Sequence, residues 1–150
     1  MHMAIYGENK KARFDYEILE KFEAGLVLTG QEVKSVRGGH ISLKGGFVVF
    51  HNGEAQVINV HIPKYRFAAA LPSYNPERSR KLLLKKKEIN YLRGKAQEEG
   101  LTILPLSVYD SASHVKMQIG IGRGKKKWDK RESIKRRDSV REVRKRMKGI

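Results

Sequence analysis

The chain has 150 residues, 39% of them hydrophobic, enough for one domain around a single modest core. Its 32 Lys and Arg stand against 16 Asp and Glu, a formal net charge of +16; a surplus of that size opposes compaction by self-repulsion and marks a polyanion as partner. The absence of cysteine excludes disulfides and thiolate metal sites and suits a reducing, cytoplasmic setting, no apolar leader segment follows the N-terminus, and no stretch approaches the roughly 18 apolar residues of a membrane span.

The charge is unevenly placed. Residues 123–148 carry 14 basic and 4 acidic side chains, a net of +10, while the remainder carries +6. This predicts a flexible N-terminus over 1–8, a folded body over 9–123 and a basic tail over 124–150. Asn9, Lys10 and Arg13 form a polar entry to the first strand. In residues 15–29 the even positions are Tyr16, Ile18, Glu20, Phe22, Ala24, Leu26 and Leu28, and the odd ones are mostly polar. That near-alternation predicts a strand with one face on a core, and Gly25 inside it predicts a bulge or bend.

Thr29-Gly30-Gln31-Glu32 has the form of a capping box, with Thr29 as N-cap and Glu32 reaching back. A short helix carrying Val33 and Val36 follows, stopped by Gly38-Gly39. Lys34 and Arg37 lie three apart and share a face, which suits docking on an RNA backbone, although a solvated face reads identically. The runs 47–50 and 55–62 flank His51-Asn52-Gly53, and Asn-Gly between apolar runs predicts a hairpin, because both turn residues must accept positive φ. Residues 63–80, with three prolines and no periodicity, predict a long loop.

Leu82-Leu83-Leu84 is a short apolar run. Residues 85–99 then space Ile89, Leu92 and Ala96 at helical intervals, with Gly100 as the stop. Residues 101–109 and 115–121 predict two more strands, joined by the polar turn Asp110-Ser111-Ala112-Ser113. Several short strands with two or three helices predict a mainly β fold, a small antiparallel barrel of OB-like type. In the tail, Val140, Val143 and Met147 would make only a narrow helical stripe. That is too little apolar area to offset an ordering cost of about 1–2 kcal/mol per residue, so the tail is expected to be disordered alone and to fold, as a helix, on its polyanion partner.

Five blocks carry a family resemblance: Asn9-Lys10-Lys11-Ala12-Arg13-Phe14-Asp15-Tyr16; Phe22-Glu23-Ala24-Gly25; Thr29-Gly30-Gln31-Glu32-Val33-Lys34-Ser35-Val36-Arg37; Arg80-Lys81-Leu82-Leu83-Leu84; and Gly124-Lys125-Lys126-Lys127-Trp128-Asp129-Lys130-Arg131. In this order and spacing they resemble the SmpB family, the SsrA-binding proteins of bacterial trans-translation. The resemblance implies a non-catalytic, monomeric adaptor whose body binds the tRNA-like domain of tmRNA. It further implies a basic tail that enters the decoding centre and empty mRNA channel of a stalled ribosome. The implied partners are tmRNA, the ribosome with its small-subunit rRNA, and elongation factor Tu through aminoacylated tmRNA, with no membrane. The chain departs from the usual pattern at Phe14, where many members have His, at Ser79, at Gly122 and in the 65–76 loop.

On this resemblance the tmRNA contacts are Asn9, Lys10, Arg13, Glu23, Lys34, Arg37, Lys81, Leu83, Arg123, Lys125 and Lys126. The decoding-centre contacts are Lys127, Trp128, Asp129, Lys130, Arg131, Lys135 and Arg136. The residue types fit these roles. Lys and Arg clamp phosphates, and Asn bonds sugar or base edges. Glu23 falls on the solvent side by strand parity; a carboxylate is a poor phosphate ligand but accepts from base amino groups. By alternation Leu83 turns away from its neighbours, toward RNA or the binding face, whereas bare patterning would bury all three leucines. Trp128 stacks on a base, worth about 1–3 kcal/mol, or anchors the tail on the body.

Enzyme readings find no support in the motifs. The five histidines show no i, i+4 metal pair, and neither a Gly-x-Ser-x-Gly elbow nor a P-loop is present. No catalytic residue, metal or cofactor is expected. The alternatives are a generic rRNA-binding protein of ribosomal or initiation-factor-like OB kind and, further off, a metal-dependent nuclease.

Overall fold

The alternation of residues 15–29 becomes an eleven-residue strand. In the computed structural model, which describes residues 4–66 and 73–125, β2 (Tyr16–Leu26) turns Ala24 and Leu26 into the core and half-buries Phe22, leaving Glu17, Leu19, Lys21 and Glu23 exposed. Its approach differs from expectation. Residues Lys10–Asp15 form a short helix, α1, because the Asn9 side chain accepts from the Ala12 N–H at 3.1 Å and caps it. The predicted flexible N-terminus is also corrected: Ile5–Glu8 form β1, antiparallel to β6 (Leu101–Ser111). Four residues that include a glycine show no usable alternation, and only a partner about a hundred positions away makes them a strand.

The capping box forms as predicted and starts α2 (Gly30–Arg37): Thr29 Oγ1 accepts from the Glu32 N–H, and the Glu32 carboxylate accepts from the Thr29 N–H at 2.9 Å. Gly38 caps its end and Gly39, at φ +84°, turns the chain away. The predicted hairpin is β3 (Phe47–His51) and β4 (Glu54–Ile58), with Asn52 and Gly53 at φ 51° and 76°. Strand β5 (Arg80–Leu83) leads to α3 (Lys86–Ala96), which ends three residues short of the expected last helical position, 99. Strand β7 (His114–Gly124) pairs with β6 through a turn at Ala112-Ser113, both in the left-handed region.

The strands make one seven-stranded antiparallel sheet in the order β1-β6-β7-β2-β5-β4-β3. It curls, since β3 at one end packs against β6 near the other; among the described residues the ladders themselves leave the order open. The inner face holds the main core, including Val57, Ile62, Leu82, Leu92, Ile103, Met117 and Ile119. Each such side chain contributes about 1.5–3 kcal/mol by burial. A second cluster, Ala12 with Leu104 and Leu106, glues α1 to the back of β6. The irregularity predicted at Gly25 lies instead between Ile18 and Glu20, opposite β7. Glycine at 25 answers to closeness: a Cβ there would stand 3.1 Å from the Leu83 Cβ across β5.

Lys126 and the expected decoding-centre residues Lys127, Trp128, Asp129, Lys130, Arg131, Lys135 and Arg136 lie outside the described residues, as do 1–3 and 67–72. The body reaches slightly further than expected. Arg123 and Gly124 are ladder residues opposite Glu17 and Tyr16, and the Lys125 N–H donates to the Asp15 carbonyl at 2.9 Å.

Candidate nucleic-acid interface

The predicted contacts that fall in the described residues gather in three places along β2, β6 and β7. At one end, Lys10 and Arg13 project from α1 beside Arg123 and Lys125 at the end of β7, with the Lys125 Nζ 3.5 Å from the Arg13 carbonyl. Among the described residues Lys10, Arg13 and Arg123 make no ion pair, whereas neighbouring Lys11 is bound to Asp15 at 3.3 Å. Asn9, expected as an RNA ligand, does something else. It is 3% exposed, and its Nδ2 donates to the carbonyls of Leu43 and Pro105 at 3.2 and 2.9 Å. With its amide fully engaged, Asn9 holds α1 against the sheet and so sets where Lys10 and Arg13 point.

About 20 Å along β2, at roughly 3.3 Å per residue, lies the second place. Glu23 stands opposite Gln118, Gly25 opposite Lys116 on one side and opposite Leu83 on the other. Residues directly opposite in antiparallel strands share a face, so these side chains form one outward surface. Strand β5 alternates strictly: Arg80 and Leu82 are buried, Lys81 and Leu83 exposed. Leu83 is 55% exposed, an apolar platform beside the cation Lys81, whose Nζ lies 3.1 Å from Glu54.

The third place is α2. Lys34 and Arg37 are exposed as predicted while Glu32, Ser35 and Val36 are buried. Arg37 is anchored to the β6–β7 turn, with its Nη2 donating to the Ser113 carbonyl at 3.2 Å and its Nε 3.5 Å from Asp110. The Lys34 Nζ lies 5.7 Å from the centre of the Tyr65 ring, over a cleft of about 370 Å³ that Lys64, Arg66 and His40 also line.

Two further residues were not picked out by sequence reasoning. Glu32, read only as part of a cap, is the centre of a buried ionic knot. Arg80 donates to its Oε2 from Nε and Nη2 at 2.9 and 2.7 Å, Arg78 binds both oxygens, and the Tyr74 hydroxyl lies 3.2 Å away. Burial alone would raise the Glu32 carboxyl, but the bonds from Arg78, the Thr29 N–H and Arg80 outweigh it and hold the group at about 2. Strand parity was the available signal: with Leu82 inward, Arg80 must also point inward and requires an acid. The second is Tyr109, whose hydroxyl donates to Glu23 Oε1 at 2.8 Å. Desolvation, and then that hydrogen bond and charge, push its phenol up to about 12. Among the described residues no cluster of His, Asp and Glu could hold a metal ion, and no helix is long and apolar enough to cross a membrane.

Known proteins resemble this chain over nearly its whole length. The family model described as SmpB protein matches residues 6–149. The SsrA-binding protein of Leuconostoc mesenteroides is 52% identical over 142 residues, covering 95% of this chain and 92% of its own. That of Gloeothece citriformis is 51% identical over 141 residues, covering 94% and 91%. A solved chain described as "tmRNA-SmpB: a journey to the center of the bacterial ribosome" superposes with a TM-score of 0.69 at 40% identity, covering 87% of this chain and 94% of that one. A family match over nearly the whole length, joined by relatives at half identity and a solved fold, leaves one conclusion: the chain belongs to the SmpB family.

Proposed function

We propose that this protein binds tmRNA through its folded body and carries it to stalled ribosomes for trans-translation, in the cytoplasm and without catalysing a reaction of its own. The observation that carries this reading is the family match over residues 6–149, which embraces both the body and the basic tail. The surface is of the right kind. Exposed cations at the α1–β7 end, Lys10, Arg13 and Arg123, take phosphates and fix register, while Glu23 and Leu83 on the outer face of the sheet meet bases or sugars. Residues 127–150 then occupy the decoding centre and the empty mRNA channel, and elongation factor Tu is met only through the aminoacylated tmRNA.

The test is competition binding of the tRNA-like domain of tmRNA against an ordinary tRNA of similar size at physiological salt. A preference of a hundredfold or more for the tmRNA fragment is expected; equal binding would leave a generic rRNA-type binder. Truncation after Lys125 separates the two halves of the reading. Binding of the tRNA-like domain should survive and peptide tagging on stalled ribosomes should vanish.

A further inference from the structure

Glu23 is an exposed carboxylate on a strand face, and an exposed glutamate ordinarily samples several rotamers. This one does not hang free. Strand β7 lies between β6 and β2, so the hydrogen bond from the Tyr109 hydroxyl to Glu23 Oε1 reaches across the full width of a strand. Tyr109 is 9% exposed and stands opposite Lys116, which is itself opposite Gly25 of β2. Its ring is therefore laid down along the row Tyr109, Lys116, Gly25, and its hydroxyl emerges beside the neighbouring row of Gln118 and Glu23. Among the described residues Glu23 Oε2 accepts no bond.

We propose that Tyr109 is the positioning residue for Glu23, presenting its carboxylate as a pre-oriented acceptor for amino, imino or 2′-hydroxyl donors of RNA. This rests on the reading that Glu23 touches tmRNA. The chemistry is consistent at every neighbour. A carboxylate offers about four acceptor sites, so one bond from the phenol leaves Oε2 entire and still leaves Oε1 capacity. The high pKa of the phenol keeps it a donor throughout the range in which the protein works, so Glu23 never loses its brace to ionisation. Gln118, directly opposite Glu23, adds a donor and an acceptor, and Lys116 adds a cation for a phosphate. Gly25 has no side chain to stand between them and the exposed Leu83, so a base laid on Leu83 can present its edge to Glu23. Fixing the acceptor before RNA arrives removes an ordering cost from binding.

Full-length protein carrying Glu23→Gln, Tyr109→Phe or both is titrated against the tRNA-like domain of tmRNA, with urea unfolding of each variant as a control. Each single change should weaken binding about tenfold, the scale of a hydrogen bond to a charged group, and the double variant should be no weaker than Glu23→Gln alone. In the free protein, NMR couplings should report one Glu23 χ1 rotamer, and an average over rotamers in Tyr109→Phe. This readout does not depend on RNA and would not move if Tyr109 only filled space. If Glu23→Gln binds as the parent does, the reading of Glu23 as a contact falls, and the proposal with it. If Glu23→Gln weakens binding but Tyr109→Phe does not, or the two losses multiply, Glu23 remains a contact and the positioning role of Tyr109 is overturned.

Discussion

Arg78 and Arg80 on one side of the molecule, and Arg13 and Arg123 on another, are the same residue type in opposite circumstances. Arg80 is fully buried, and with Arg78 it spends its donors on Glu32 and on the Val60, Pro76 and Ser79 carbonyls. At the α1–β7 end Arg13, Arg123 and Lys10 stand in solvent and, among the described residues, make no ion pair, although Glu17 lies opposite Arg123. The first group is finished chemistry, in which desolvated charge is repaid inside the fold. The second is unfinished and calls for phosphate. Net charge counts both alike, so +16 overstates what is offered to a polyanion; what matters is how much of that charge the protein leaves unanswered.

The contrast is broken most severely from the buried side. Glu32→Ala leaves Arg80 desolvated without its counter-charge and should cost about 3–5 kcal/mol in urea unfolding. Tagging activity should fall only in proportion to the unfolded fraction. The same knot sets acid stability. The unfolded chain takes up the Glu32 proton near the ordinary 4.5, the folded one at about 2. Between those values the unfolded state binds more protons, so stability is full above 4.5 and is lost as the pH falls toward 2. Acid titration followed by circular dichroism should show this window for the parent and not for Glu32→Gln.

From the exposed side, replacing Lys10, Arg13, Arg123 and Lys125 together by Ala should leave unfolding nearly unchanged and weaken RNA binding by about two decades at physiological salt. The slope of log affinity against log salt should become shallower by about 3, at roughly 0.7–0.9 per lost phosphate contact. An unchanged slope would show that RNA docks elsewhere. Asn9→Ala joins the two sides. It removes a cap and orphans two carbonyls, costing about 2 kcal/mol of stability, and it weakens RNA binding because α1 loses its anchor. The smallest effect belongs to Lys11→Ala, whose surface pair with Asp15 is already satisfied: neither unfolding nor RNA affinity should shift measurably.

What the sequence makes legible is local chemistry. The Thr29–Glu32 box, the Asn52-Gly53 turn and the inward row Phe22, Ala24 and Leu26 of β2 each follow from neighbours a few residues apart, and each forms as expected. What it hides depends on partners far along the chain. Strand β1 exists because of β6, Asn9 is buried because Leu43 and Pro105 accept its amide, and Tyr109 acquires a role through a carboxylate 86 positions away. The site divides in the same way. Lys34, Arg37 and Leu83 could be placed on exposed faces by periodicity, while the brace behind Glu23 could not.

The pairing of β1 with β6 has a consequence in time. Tyr6 and Asp110, joined across that ladder by a 2.7 Å hydrogen bond, are 104 residues apart. At about 5–20 residues per second, β1 waits on the order of 5–20 s for its partner to be made. Throughout that interval Ile5 and the bare edge of β1 lack their native partner, and the sheet is completed at this edge only once β6 has been made. An edge strand at one end of the sheet is thus secured only after β2 to β5 have all been made.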